Sequence, residues 1–281
     1  MTSALVDTLA RPALRRRASR TNLTPGSSLA LGISVTWFSL LVLIPLAAIV
    51  ATAAGGGWST YWATISSGET FAAVRMTVEQ AALVTLVNVV MGTLIAWVLV
   101  RDRFAGKRLL DIVIDIPFAL PTIVAGLVLL GLYGPTSPVG VHWAYTRMAV
   151  PLALAFVTLP FVVRTVQPVL GELDHDVEEA AASLGAGRLT ILRRIVLPSL
   201  LPAITAGAAL SFARAIAEYG SLVLLSSNKP FQSEVASVRV MTYIENGSTA
   251  AAASVASLLL VVSLVVIVLL DTLSRKAARR G

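Results

Sequence analysis

No cysteine occurs in the 281 residues, so neither a disulfide nor a thiolate metal site can form. Histidine is nearly as scarce: there are only His142 and His175, far apart in sequence. Two isolated imidazoles and no thiol supply neither a nucleophile–base pair nor a metal cluster, which argues against an intramembrane enzyme. Charge is thin as well. Charged residues make up 13% of the chain, against about 25% in an ordinary soluble domain. No GxxxxGK[ST] phosphate loop is present, so any nucleotide-driven step must be powered by another polypeptide. No short-period repeat or low-complexity tract stands out.

What fills the space is apolar: 56% of residues are hydrophobic and the mean hydropathy is +0.82. A helix needs roughly 20 apolar residues to cross a bilayer core. Six segments meet that length, at roughly 29–51, 77–100, 112–133, 147–168, 203–225 and 249–271. Helices satisfy their own backbone, as lipid requires, so the sequence predicts an all-α polytopic membrane protein with six transmembrane helices. The first segment is longer than the apolar stretch of a secretory signal and follows a long basic arm, so it is taken as a span.

The domain plan is a basic arm over 1–28, a membrane domain over 29–271 and a basic tail over 272–281. Within the membrane domain the first span is 29–51, the core module covers about 72–271, and 172–201 is a polar insertion.

Basic residues set the expected orientation. Arg11, Arg15, Arg16, Arg17 and Arg20, then Arg101, Arg103, Lys107 and Arg108, then Arg188, Arg193 and Arg194, then Arg275, Lys276, Arg279 and Arg280 all fall on one side. Arg75, Arg147, Lys229 and Arg239 fall on the other. The positive-inside rule then puts both termini and the 172–201 insertion in the cytoplasm. The same bias explains most of the +7 net charge without a nucleic acid.

The insertion reads EEAAASLGAGRLTILRRIVLP over 178–198. Asp176 is placed to cap a helix, with Glu179 reaching back three residues later. Ala180, Ala181 and Ala182 favour helix and leave the backbone approachable. Gly185 suits the left-handed position that ends the helix. A second helix is expected from about Arg188, with Leu189, Leu192 and Val196 on one face and Pro198 as its stop. Pro202 then suits the first turn of the next span. Periodicity alone leaves two readings open: an amphipathic linker resting on headgroups, or a docking segment.

Glu179-Ala180-Ala181, then Gly185, then Ile195-x-Leu197-Pro198 resembles the EAA signature of binding-protein-dependent ABC importer permeases, with every fixed position filled. IPFALPTIVAG (116–126), LYGPTSPVG (132–140), LAFVTLPFVVRTVQPVL (154–170) and FARAIAEYGSLVLLSSN (212–228) resemble the T-type permease subunits of sulfate and thiosulfate importers. One departure is Ala217 in Ala217-Glu218-Tyr219-Gly220, where that family usually carries glycine.

The resemblance implies a type I ABC importer transmembrane domain whose EAA segment docks on a cytoplasmic ATPase. It also implies a related W-type permease partner, an extracytoplasmic sulfate-binding protein, and ATP-Mg held by the ATPase with no cofactor in this chain. Molybdate or another small anion is the nearest alternative solute. An ion-coupled secondary carrier is a weaker alternative, with only Glu79 and Glu218 as thin material for it.

Ionisable residues inside spans are functional candidates. Arg214 and Glu218, four apart in the fifth span, read either as a pair locking helix packing or as an anion contact with its positioning acid. Arg164 is expected to snorkel to the headgroups, with gating as the alternative. Asp111 and Asp115 read as helix-start acids. Pro117 and Pro121 permit a kink in the third span, which with Gly126 and Gly131 would suit it to line a pathway. Ala250 to Ala253 and Ser254 read as helix packing. His142 is expected in an exposed loop and His175 at a cap or partner contact.

Overall fold

The computed structural model describes residues 24–278; the predicted arm with Arg11 to Arg20, and Arg279 and Arg280 of the tail, lie outside them. The described residues are helical, with no strand among them. The chain divides into two compact units, Met1–Ala48 and Ile49–Gly281.

In the first unit, α1 (Pro25–Phe38) starts at Thr24, whose side chain accepts from the Ser27 N–H. A π-helical turn (Ser39–Leu43) leads to α2 (Ile44–Gly55), and together they give a candidate span over Gly26–Gly55. A polar, aromatic-bearing stretch then forms α3 (Gly57–Ser66), on which Trp58 stacks with Tyr61 and Trp62.

The second predicted span begins earlier than its apolar run, because Ser67 caps α4 (Gly68–Arg101) by accepting from the Thr70 N–H. The third is not a straight span. α5 (Lys107–Ala119) and α6 (Thr122–Tyr133) meet at a 118° bend. Leu120, ahead of Pro121, is extended, as a residue before proline tends to be. The fourth is α7 (Ala149–Glu172), with Pro160 and Pro168 inside it. α13 (Thr249–Ala278) is the last.

The fifth span departs most from expectation. Pro198 does not stop the helix. α9 (Arg188–Ile191) passes through a π-helical segment (Leu192–Val196) into α10 (Leu197–Ile216), and Arg188–Ile216 is one candidate span. In the wider register the Leu197 N–H donates to the Leu192 carbonyl. Pro198, with no N–H to offer, occupies the first turn of α10, where none is needed. The predicted run to 225 breaks instead at 217–219, and a short α11 (Gly220–Leu225) follows. Between α11 and the last span lies α12 (Ala236–Glu245), which is half-buried.

α7 is the hub, packing against α4, α10, α5, α6 and α11. Its first half joins a core with Phe212, Leu222, Leu225 and Val235; its second half joins another with Ala96, Leu99, Val196 and Leu200. Lipid tails are as apolar as leucine, so close packing at small residues has to hold such helices together. A Cβ added at Gly92 of α4 would lie 2.9 Å from Val162, and one at Gly207 of α10 would lie 3.0 Å from the Val162 Cα. Both neighbours therefore close on one residue of α7. Asn88 adds a buried interhelical bond, its Nδ2 donating to Thr158 Oγ1 at 2.8 Å.

The two breaks meet. A Cβ at Gly126 of α6 would sit 2.8 Å from the Ser221 backbone, and one at Gly220 would run into Thr122. α6 and α11 are thus seated on each other reciprocally, just past the bend of one and the break of the other.

Candidate functional site

The polar insertion forms α8 (His175–Ser183), and none of its residues is buried. Its cap is Asp174, not the expected Asp176: Asp174 Oδ1 accepts from the Asp176 N–H at 2.9 Å. The displacement follows from α7 running on to Glu172, which leaves Leu173 and Asp174 as the only extended residues between the helices.

The far end of α8 matches expectation. Gly185 has φ +86°, where a side chain would be strained, and open space around it. The Ala186 N–H donates to the Ala181 carbonyl at 3.0 Å and the Gly185 N–H to the Ala182 carbonyl at 2.9 Å. The alanines thus supply the carbonyls that the turn satisfies, and the bend is a hydrogen-bonded unit.

Glu179 and Ala180 are exposed and Ala181 is half-buried. Leu184 is 90% exposed, and Val177, Leu189 and Leu192 also face outward. Ile195 is half-buried, while Leu197 and Pro198 are exposed at the joint with α10. A cavity of about 460 Å³ lies behind the segment, lined by Trp97, Glu178, Arg188, Leu189, Ile191 and Leu192 among others.

One arginine that sequence reasoning counted only as a loop charge holds this segment. Arg101, the last residue of α4, places Nη2 2.5 Å from Glu178 Oε1 and Nη1 2.9 Å from His175 Nδ1, with its guanidinium over the Trp97 ring. His175, exposed at the start of α8, thus also makes a contact within the chain. The available signal was a basic residue at the C-terminal end of a span and acids in the first turn of α8, each favoured by its helix dipole.

The two intramembrane arginines differ. Arg164 does not snorkel. Its Nε and Nη2 grip Asp115 Oδ1 and Oδ2, both at 2.7 Å. Its Nη1 donates to Asp111 Oδ1 at 2.7 Å and Gln167 Oε1 at 2.6 Å, and Nη2 also donates to the Asp111 carbonyl at 2.8 Å. All five N–H groups of the guanidinium are used. Asp111 and Asp115 are thus counter-ions from α5, not merely dipole-favoured acids.

Arg214 and Glu218 are paired, Nη2 to Oε2 at 2.7 Å. They do not share a helix face, because α10 ends between them. Glu218 is buried in the break, where Oε1 accepts from the Ser221 N–H and hydroxyl at 2.8 Å each. Arg214 remains 28% exposed, and no other bond to it is seen among the described residues. Pro121 sits exposed at the bend, heading α6.

At the end of the domain opposite α8, a network missed by sequence reasoning ties α12 to α4. Arg239 pairs with Glu69, lies over the Tyr243 ring and sits 3.7 Å from Glu234 Oε1. Tyr243 Oη meets Thr70 Oγ1 at 2.9 Å. Glu234 is buried, and its Oε2 has no partner. Burial pushes its carboxyl above the usual range, only partly countered by Arg239. Nearby, Thr77 Oγ1 accepts from the Ala236 N–H at 2.8 Å. His142 is exposed in a loop, as expected, with its Nδ1 2.9 Å from the Gly134 carbonyl. No group of histidines and acids among the described residues is arranged to hold a metal.

Residues 88–279 match the family described as binding-protein-dependent transport system inner membrane component. The chain is 40% identical to the sulfate transport system permease protein CysT of Salmonella typhimurium, over 91% of this chain and 95% of that protein. It is 39% identical to CysT of Escherichia coli, with coverage of 91% and 95%. It is 41% identical to CysT of a Synechocystis species, with coverage of 78% and 79%.

Among solved structures the fold is similar to a chain of a bacterial alginate ABC transporter in complex with an alginate pentasaccharide-bound periplasmic protein. The TM-score is 0.74 at 15% identity, covering 89% of this chain and 94% of that one. It is also similar to a chain of the inward-facing MetNI methionine ABC transporter, with a TM-score of 0.54 at 18% identity and coverage of 74% and 94%. At such identities the likeness speaks to fold alone.

Proposed function

The chain belongs to the binding-protein-dependent transport system inner membrane components, and from that premise we propose that it is the permease subunit of an ATP-driven importer of sulfate or thiosulfate. It is a transport component and not an enzyme. The observation that carries the reading is α8: a short helix, bent by hydrogen bonds at Gly185, that stands off the span ends with apolar residues exposed. Glu179, Ala180, Ala181, Gly185, Ile195, Leu197 and Pro198 form the segment offered to a cytoplasmic ATPase, which holds the ATP-Mg.

The positive-inside bias supports a cytoplasmic-membrane location with α8 and both termini on the cytoplasmic side. A related W-type subunit completes the pore, and an extracytoplasmic receptor delivers the anion. The division suits a dianion. Burying it is costly unless many donors surround it, and a tight site inside the membrane would hold it there instead of passing it on. Arg214, with donors to spare beside the 217–219 break, is the pathway residue best fitted to contact the ion, and Pro121 is the hinge of the bent span. ATP moves the permease only insofar as the ATPase binds its two states with different affinity.

The test is uptake of radiolabelled sulfate into proteoliposomes holding the complete complex, with thiosulfate and molybdate as competitors. Competition by thiosulfate alone is expected; strong competition by molybdate would move the solute assignment. The double variant Glu179→Lys with Gly185→Ala should abolish both uptake and stimulated ATP hydrolysis. Survival of both would remove the docking role of α8.

A further inference from the structure

Arg164 has no donor left for an anion, since its five N–H groups are spent on Asp111, Asp115 and Gln167. Four of those five bonds cross from α7 to α5. They matter because the clamp supplies the polar bonds between α5 and α7, beside a narrow apolar seam. Ile114 is its only buried residue, while Leu109, Ile112, Val113, Ile116 and Phe118 are exposed. Besides the clamp, Ile114 and Leu110 join the core around Val162, Val163 and Val166 of α7, and Phe118 sits edge-on to Phe161 at 4.9 Å.

The clamp has a place in a mechanical chain. α7 leads through Leu173 and Asp174 straight into α8. α5 turns by 118° into α6, and α6 is seated on α11 through Gly126 and Gly220, beside Arg214 and Glu218. We propose that Arg164 is a positioning residue: a strut that makes α5 follow α7 when α8 is displaced, and so carries that displacement to the bend at Leu120–Pro121.

A guanidinium suits this task because its planar fork, bidentate on Asp115, fixes the angle between the helices and not only their distance. The strut needs no change in its own bonds during the stroke; it has only to stay closed. This rests on the reading of α8 as the ATPase contact.

The absence of native cysteine permits a direct test. In the complete reconstituted complex, spin labels are placed on Leu184→Cys or Leu127→Cys, each paired with Leu264→Cys on α13 as reference. Distances are measured with and without trapped ATP. Both should change in the wild-type background. With Arg164→Gln, the Leu184 distance should still respond while the Leu127 distance does not. ATP hydrolysed per radiolabelled sulfate imported should rise at least tenfold, and Arg164→Lys should fall between.

Should Arg164→Gln fail to assemble, Asp115→Asn removes the bidentate partner from the α5 side and is expected to uncouple in the same way. If Leu127 responds normally in the variants and the ATP cost per sulfate is unchanged, the strut is refuted while the function reading stands. If Leu184 fails to respond even in the wild type, the ATPase contact at α8 is refuted, and the strut with it.

Discussion

The two ends of the membrane domain are held together by opposite means. At the α8 end, a segment with no buried residue is fastened mainly through Arg101, and its apolar side chains face outward. At the α12 end, Ser226, Ser233, Glu234, Val235 and Ala236 are buried, and bonds run from α12 and its approach to α4, α11 and the 217–219 break. The first end offers apolar surface outward, and the second keeps its shape through buried bonds. The lesson is that ion pairs do different work according to what surrounds them. Arg101 and Arg239 are equally buried, but the acid that Arg101 holds, Glu178, is partly exposed, so the pair sets the pose of a helix at less energetic depth. An arginine over a buried acid keeps an otherwise uncompensated charge tolerable.

That contrast can be broken most severely at Arg239. Arg239→Ala strands Glu234 in a buried position and frees Glu69 and Tyr243, so a loss of about 3 kcal/mol is expected, as for breaking a buried pair. It would be read as a marked fall in the thermal unfolding midpoint of the detergent-solubilised protein; a change within error would show that the α12 end does not depend on this network. Arg101→Ala should do the reverse. Stability should fall by less than in Arg239→Ala, by about 1–2 kcal/mol, because Glu178 keeps some solvent when its partner is removed. Sulfate uptake should fall about tenfold, the scale of a site-to-site coupling of 1–3 kcal/mol. Equal effects of the two substitutions on both readouts would erase the distinction between the ends.

The smallest effect is one of pH. In the folded protein Glu234 keeps its proton to higher pH than in the unfolded chain, because burial raises its pKa from 4.5. Its contribution to stability is therefore present below that ordinary value and lost as pH rises through the folded one. Glu234→Gln lacks this slope. The difference in unfolding midpoint, variant minus wild type, should grow from acid towards neutral pH. A flat difference would mean that Glu234 titrates as if exposed.

Much of the architecture was legible because spans are written in local hydropathy and the α8 turn in local chemistry. Gly185, three alanines and a polar start are enough to specify a short capped helix. What stayed hidden depends on partners distant in the chain. Pro198 reads as a stop until the π-helical turn ahead of it removes the need for its N–H. Arg164 reads as a snorkelling side chain until the bend brings α5 alongside with two aspartates. The fifth span looks continuous because residues 217–219 are no more polar than their surroundings, apart from Glu218. The carboxylate marks the break only once Ser221 is known to cap onto it. The Arg239 network joins residues from α4 and α12, and no local pattern announces such a pairing.

α8 has only nine residues. An isolated helix needs roughly 12–15 residues to persist in water, since the nucleating turn is entropically uphill. The shape it presents is therefore lent to it by the rods on either side and by Arg101. A free peptide copied from this stretch would be coil and a feeble competitor. A molecule meant to interrupt the junction would have to arrive already rigid.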